Sequence, residues 1–250
     1  MRFLEKLEAG QTVVGPFSKT SDPSMIEAMG YAGFDFIIID LEHGPNSILN
    51  AQNLVRAAQI TWTFPIIRVP ENSASAIGKA LDIGALGVQV PQISNAEQAK
   101  LAVEYAKFGP IGMRGVCRFV RAAEFSNKDR FEYFAGANQN YLILQLEGEE
   151  AIKNIEAIIA VPHVNIIFLG PYDLSQALGV PGQINHPIVI EKIEYIVNLC
   201  KANSKKTGIF TDNLVDARGW RELGIDYISY SVDVGIIQEA SKTIISEILR

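Results

Sequence analysis

Two carboxylates, Glu147 in YLILQLE and Asp173 in GPYD, each stand just beyond an apolar run. An oxygen-rich pair of this kind suits a hard divalent cation such as Mg²⁺ or Mn²⁺, with coordination positions left for water and substrate. With only two cysteines and three histidines in the chain, a zinc cage is disfavoured. Each carboxylate has a plainer alternative, because Asp and Glu at such places also cap the helix that follows. Arg68 closes the run FPIIR, where a guanidinium can chelate a carboxylate, steady a developing oxyanion, or end in an internal salt bridge. His43, in FDFIIIDLEHGP, is a candidate acid/base because imidazole titrates near neutrality. Asp82 in KALDIG is a candidate to orient it, or else an ordinary solvated helix charge.

Other chemistry fits less well. A Schiff-base lysine would have to lie at the correct end of a strand. Lys205 and Lys206 precede their strand, and Lys19 sits in polar SKTSD, a setting that would not activate it. His163 and His186 fall in loop-like VPHVN and INHPIV and read as structural or exposed. Cys117 and Cys200 match neither a disulfide framework nor a redox or zinc spacing and read as two buried apolar thiols, which fits a reducing cytoplasm.

The elements that must position these groups are short apolar strands alternating with helical stretches. Strands are predicted at 12–17, 34–40, 64–69, 85–90, 141–147, 164–170, 207–210 and 226–230. They are apolar at nearly every position, as in a parallel sheet buried on both faces. Eight βα units in 250 residues predict one (β/α)8 TIM barrel spanning 1–250, whose chemistry sits at the C-terminal ends of its strands. A doubly wound sheet is the weaker alternative, since GPFSKTSDP after the first strand has no glycine-rich phosphate loop. Between the fourth and fifth strands the chain spends about fifty residues, roughly twice the usual unit, on a segment rich in Gly, Arg and aromatics.

Bulk properties narrow the partners. At 48% hydrophobic and a net charge of −6, the chain has core enough for a globular fold and no basic field for nucleic acid. The N-terminal MRFLEKLEAGQTVVG has no long apolar stretch of a signal peptide, and no run approaches a membrane span. The expectation is a soluble, cytoplasmic protein with neither nucleic acid nor membrane as partner, and anionic small molecules stay open as substrates because one well-placed Arg decides that locally.

Taken in order, AGFDFIIIDLEHGPN, RVPENSASAIGKALDIGALGVQVPQI, PIGMRG, LQLEGEEAI and GPYDLSQALG resemble the HpcH/HpaI family of class II pyruvate aldolases along essentially the whole chain. The resemblance implies a barrel of the phosphoenolpyruvate/pyruvate-binding type that cleaves a 4-hydroxy-2-oxo acid reversibly to pyruvate and an aldehyde through a pyruvate enolate. It implies a divalent cofactor (Mg²⁺, Mn²⁺ or Co²⁺) held by Glu147 and Asp173, and Arg68 on the pyruvyl oxygen. It further implies a His43–Asp82 acid/base dyad, with pyruvate contacts from Gln145, Gly170, Pro171, Tyr172 and Asp173. Family members are commonly homo-oligomers, hexamers or trimers of dimers, in which a neighbour helps close the site; PIGMRGVCRFVRAAEF is the candidate contact. Phe17, where some relatives carry Trp, and Cys117 with Phe119 depart from the family on the aldehyde side. Alternative readings are a lyase or decarboxylase working through the same enolate on oxaloacetate or a citramalyl-CoA-type substrate, and a non-catalytic barrel.

Overall fold

The computed structural model describes residues 2–249. Strands β1 Val13–Ser18, β2 Phe36–Asp40, β3 Phe64–Arg68 and β4 Gly87–Ile93 come first, then β5 Tyr141–Leu146, β6 Ile166–Leu169, β7 Lys206–Thr211 and β8 Tyr227–Val232. They pair in parallel in sequence order, and β8 returns to β1 to close a barrel. The TIM barrel expected from the sequence is therefore the fold, and each predicted strand is present with its bounds shifted by a few residues at most. Helices before β5 are α1 Arg2–Glu8, α2 Pro23–Ala32, α3 Ile48–Ile60, α4 Ala74–Asp82, α5 Ala96–Ala106 and α6 Arg130–Ala137. After it come α7 Gly148–Lys153, α8 Ile155–Ile159, α9 Pro171–Ala177, α10 Pro187–Ala202, α11 Leu214–Leu223 and α12 Asp233–Ile248. Short polar side chains start many of them: Asp22, Ser47, Ser73, Asn95 and Asn213 each accept a backbone N–H of the first turn.

Side-chain alternation along each strand splits the core in two. Ile37, Ile39, Ile67, Val88, Leu142, Leu144, Ile167 and Leu169 face outward and pack with the helices. Phe36, Ile38, Phe64, Ile66, Ile143, Ile166, Phe168 and Tyr227 face inward and fill the barrel. Space inside is tight: a Cβ added at Gly208 would stand 2.8 Å from the Tyr227 ring. The inward rows are apolar at the base and turn polar at the mouth, where Asp40, Arg68, Gln89 and Gln145 continue them in phase. Apolar strand and polar end are thus one alternating pattern.

The base is closed by α1, which the sequence reading did not anticipate. Phe3 is fully buried, stacked on Phe64 at 4.1 Å and edge-on to Phe36, Tyr141 and Tyr227. The long β4–β5 connection also folds compactly, with Phe108, Ala123, Tyr133 and Ala137 forming a small core of their own. Together with Ala85 and Leu86 at the foot of β4, it walls a cavity of about 550 Å³ that contains none of the strand-end residues.

Because Phe3 plugs an otherwise open barrel end, Phe3→Ala should lower the unfolding free energy by about 3–5 kcal/mol, read from urea denaturation. A loss under about 1 kcal/mol would mean that the base does not depend on α1.

Candidate active site

At the mouth, β2 and β3 put Asp40 directly opposite Arg68. Arg68 donates Nε to Asp40 Oδ1 at 2.9 Å and Nη2 to Oδ2 at 2.7 Å, a bidentate pair with Asp40 fully buried. Its Nη1 lies 2.9 Å from Glu42 Oε2, an ion pair whose geometry leaves that buried oxygen without a hydrogen-bond donor. The guanidinium also sits 4.6 Å over the Phe17 ring. The salt-bridge alternative for Arg68 is therefore realised, yet two of its five N–H bonds suffice for Asp40 and the group still lines the pocket. Asp40 in turn accepts the backbone N–H groups of Glu42 and His43 and so fixes the loop beyond β2.

On the far side, β5 delivers Gln145 and Glu147. Gln89 Nε2 donates to Gln145 Oε1 at 2.5 Å, and Gln145 Nε2 donates to Glu147 Oε1, so two amides aim the carboxylate. Glu147 takes the N-cap place of α7, and Asp173 lies in the first turn of α9, yet neither helix has a side-chain cap hydrogen bond. The capping alternative is thus not what these carboxylates do. Asp173 folds back over Gly170, where any Cβ would collide with its Oδ2.

Electrostatics at the mouth are unbalanced. Burial raises the Glu147 pKa above the usual carboxylate value; the Gln145 hydrogen bond and Arg68 oppose the shift, while Glu42 and Asp173 add to it. Four carboxylates, Asp40, Glu42, Glu147 and Asp173, thus meet two cations, Arg68 and Lys19. Surplus negative charge around the half-buried Glu147 fits a divalent cation at this place. Among the described residues no three His, Cys, Asp or Glu side chains gather as a complete cage, so Glu147 and Asp173 would leave most positions to water and substrate.

The pocket itself holds about 240 Å³, below the roughly 300 Å³ where drug-sized sites begin. Phe17, Phe168, Phe210 and Val232 give it an apolar side; Lys19, Arg68, Gln145 and Asp173 give it a polar one. Gly170, Pro171 and Tyr172 also line it, as expected, with Tyr172 47% exposed at the rim. Gln89 was missed as a site residue, and Lys19, set aside as a nucleophile for its polar setting, nonetheless lines the pocket. Gln89 was detectable as the inward polar residue of an apolar strand.

His43 and Asp82 are not brought together within the chain. His43 stands at the mouth, its side chain 65% exposed, with Nε2 3.8 Å from Glu42. Asp82 ends α4, which runs antiparallel to the strands and returns to the base before β4, and there it accepts from Arg114 Nη2 at 2.6 Å. A dyad inside one chain would have to span the barrel.

With this geometry in hand, comparisons with known proteins decide the family. The family model described as HpcH/HpaI aldolase/citrate lyase matches residues 14–240. The chain belongs to this family. It is similar to 5-keto-4-deoxy-D-glucarate aldolase of Escherichia coli (strain K12), at 36% identity over 96% of this chain and 94% of that enzyme. Its fold matches the crystal structure of an HpcH/HpaI aldolase from Desulfitobacterium hafniense DCB-2 with a TM-score of 0.90. That match has 30% identity and covers 98% of this chain and 95% of the other. The citrate synthase SbnG is similar at TM-score 0.85 and 27% identity, over 97% and 95% of the two chains. The HpcH/HpaI chain is a carbon–carbon lyase of the aldolase class. No helix among its described residues is long and apolar enough to cross a membrane.

Two carboxylates at this rim carry depressed pKa values. For Asp40, burial alone would raise it, but Arg68 and the N–H groups of His43 and Glu42 overcome that. For Asp233, burial is likewise overcome by hydrogen bonds from Thr20, Lys19 and Val234. Each then stabilises the fold above the unfolded value near 3.8, and that contribution disappears as pH falls through the lower folded value. The thermal midpoint should therefore fall steeply below about pH 4, and Asp233→Asn should flatten that fall while lowering the midpoint at neutral pH. An unchanged acid slope in the variant would refute the assignment.

Proposed function

We propose that the chain is a divalent-metal-dependent aldolase that cleaves a 4-hydroxy-2-oxo acid to pyruvate and an aldehyde, and runs the reverse addition. The observation that carries this reading is the pair of uncapped carboxylates, Glu147 and Asp173, in a mouth with surplus negative charge and facing Arg68. These two would hold Mg²⁺, Mn²⁺ or Co²⁺. When bound, such an ion supplies a Lewis acid that withdraws electron density from the substrate's 2-oxo group.

The remaining steps belong to the protein. Arg68, already locked by Asp40 and Glu42, offers fixed positive charge where the oxyanion of the enolate develops, without reorganising as it forms. Gln145 and the Gly170–Asp173 turn contact the pyruvyl half, and the pocket's aromatic side keeps water from the enolate carbon. His43 takes the proton of the 4-hydroxyl. Its proposed partner Asp82 would have to come from a second copy of the chain, which fits a homo-oligomer. The outer surface supports that assembly. Among the described residues of α12, only Asp233 is buried, while Ile244, Ile245 and Ile248 are 58%, 58% and 74% exposed. The glucarate-derived substrate named for the E. coli relative makes a sugar-acid substrate the reading to try first. Cys200 is buried as expected, whereas Cys117 is exposed on the β4–β5 connection; both thiols are free, which supports a cytoplasmic location.

Pyruvate release from a panel of 4-hydroxy-2-oxo acids should vanish after EDTA and return with Mg²⁺, Mn²⁺ or Co²⁺. Arg68→Ala should lower kcat by about a hundredfold or more, and Gly170→Ala, by displacing Asp173, should weaken metal activation. Activity that ignores EDTA and is trapped by borohydride would move the chemistry to a lysine and overturn the reading.

A further inference from the structure

The proposed chemistry uses no polar group from the β1 side of the mouth, yet the chain builds a rigid turn there. Asp233, 1% exposed at the start of α12, accepts from Ser18 Oγ at 2.9 Å, Thr20 N at 2.9 Å and Thr20 Oγ1 at 2.7 Å. Lys19 N lies 3.0 Å from each of its oxygens. From the other side Asn46, in the loop that carries His43, donates Nδ2 to the carbonyls of Lys19 and Thr20, both at 3.2 Å. A carboxylate buried this deeply is costly unless hydrogen-bonded, and apart from its own backbone contact to Val234, each bond found here holds this turn.

What the turn presents to the pocket is the Lys19 side chain. Of the two cations lining the pocket, Arg68 is committed to Asp40 and Glu42. Lys19 Nζ has only a 3.5 Å contact with the His43 carbonyl and stands 3.8 Å from Asp40 Oδ2, an atom that already accepts from Arg68. An ammonium has three donors, so Lys19 has hydrogen bonds to give.

Position supplies the next constraint. In the closed ring β1 is four strands from β5, so Lys19 faces Glu147 across the mouth. A substrate held by its 2-oxo-acid end near β5 and β6 would lay its chain along the Phe17 and Phe168 side of the pocket and bring its far end toward β1. An acidic far end laid along that path would meet the Lys19 ammonium at the β1 side of the lining. A neutral aldehyde would need no such cation.

We propose that Lys19 is the specificity-determining residue for the aldehyde half, binding a carboxylate beyond the scissile bond and selecting 4-hydroxy-2-oxo acids that carry a second, distal acid group. This rests on the aldolase reading, and Asp233 and Asn46 act as positioning residues for it.

The test is aldol addition to pyruvate by the metal-loaded protein with two aldehydes of like shape, 4-oxobutanoate and its methyl ester. The unaltered protein should favour the acid in kcat/KM by tenfold or more. Lys19→Met should erase that preference through KM, and Lys19→Arg should retain it. Should Lys19→Met not fold, ionic strength serves instead: raising salt to 0.5 M should raise KM for the acid severalfold more than for the ester. A separate arm measures metal-dependent exchange of the C3 protons of pyruvate for deuterium in the unaltered protein. No exchange would sink the aldolase reading and this inference with it. Exchange with equal use of both aldehydes, a preference surviving in Lys19→Met, or equal salt effects would overturn the Lys19 assignment alone.

Discussion

The mouth of this barrel is organised by one buried ion pair, Asp40 with Arg68. Removing two charges from water costs several kcal/mol per ion in effective terms, about as much as their attraction returns, so such a pair is seldom kept for stability alone. Here it does three geometric things. It staples β2 to β3 at their ends, it pins the loop carrying Glu42 and His43 through backbone N–H bonds to Asp40, and it holds a guanidinium at fixed orientation on the pocket wall. Glu42 and Lys19 are then placed relative to that pair. The excess of carboxylates that results makes the opposite wall, Glu147 and Asp173, a fitting seat for a divalent cation.

The two ends of the barrel divide the work. At the base, Phe3, Phe36, Phe64, Tyr141 and Tyr227 make an aromatic plug whose contribution is packing. At the mouth the same inward rows carry Asp40, Arg68, Gln89 and Gln145, each buried and each hydrogen-bonded. Polar groups in such a setting are strongly directional because water does not compete for them. The second, larger cavity lies under the β4–β5 excursion at the base and shares no residue with the site.

Much of this was legible in the sequence because strands buried on both faces announce themselves as unbroken apolar runs, and FDFIIID is such a run ending in a charge. The carboxylates, Arg68 and Gln145 were legible for the same reason, as polar residues where an apolar strand stops. Residues that depend on distant partners were not. Lys19 looked like one lysine in a polar turn because the carboxylate that fixes its backbone, Asp233, lies at the other end of the chain. Phe3 gave no sign of its role, since a helix of seven residues plugging a barrel looks locally like any amphipathic start. Asp82 ends α4 at the foot of β4, paired with Arg114, so nothing local in the sequence signals that reaching His43 would take a second copy of the chain. The family resemblance, by contrast, was carried by motifs in order along the chain and is the family that the comparisons show.

The central claim is that Glu147 and Asp173 hold a divalent cation, and Mn²⁺ titration followed by the paramagnetic resonance of the free ion tests it directly. The account predicts one bound Mn²⁺ per chain, tightened by pyruvate, and no such binding in Glu147→Gln/Asp173→Asn protein that retains its circular dichroism. Stoichiometric binding that persists in the double variant would contradict it.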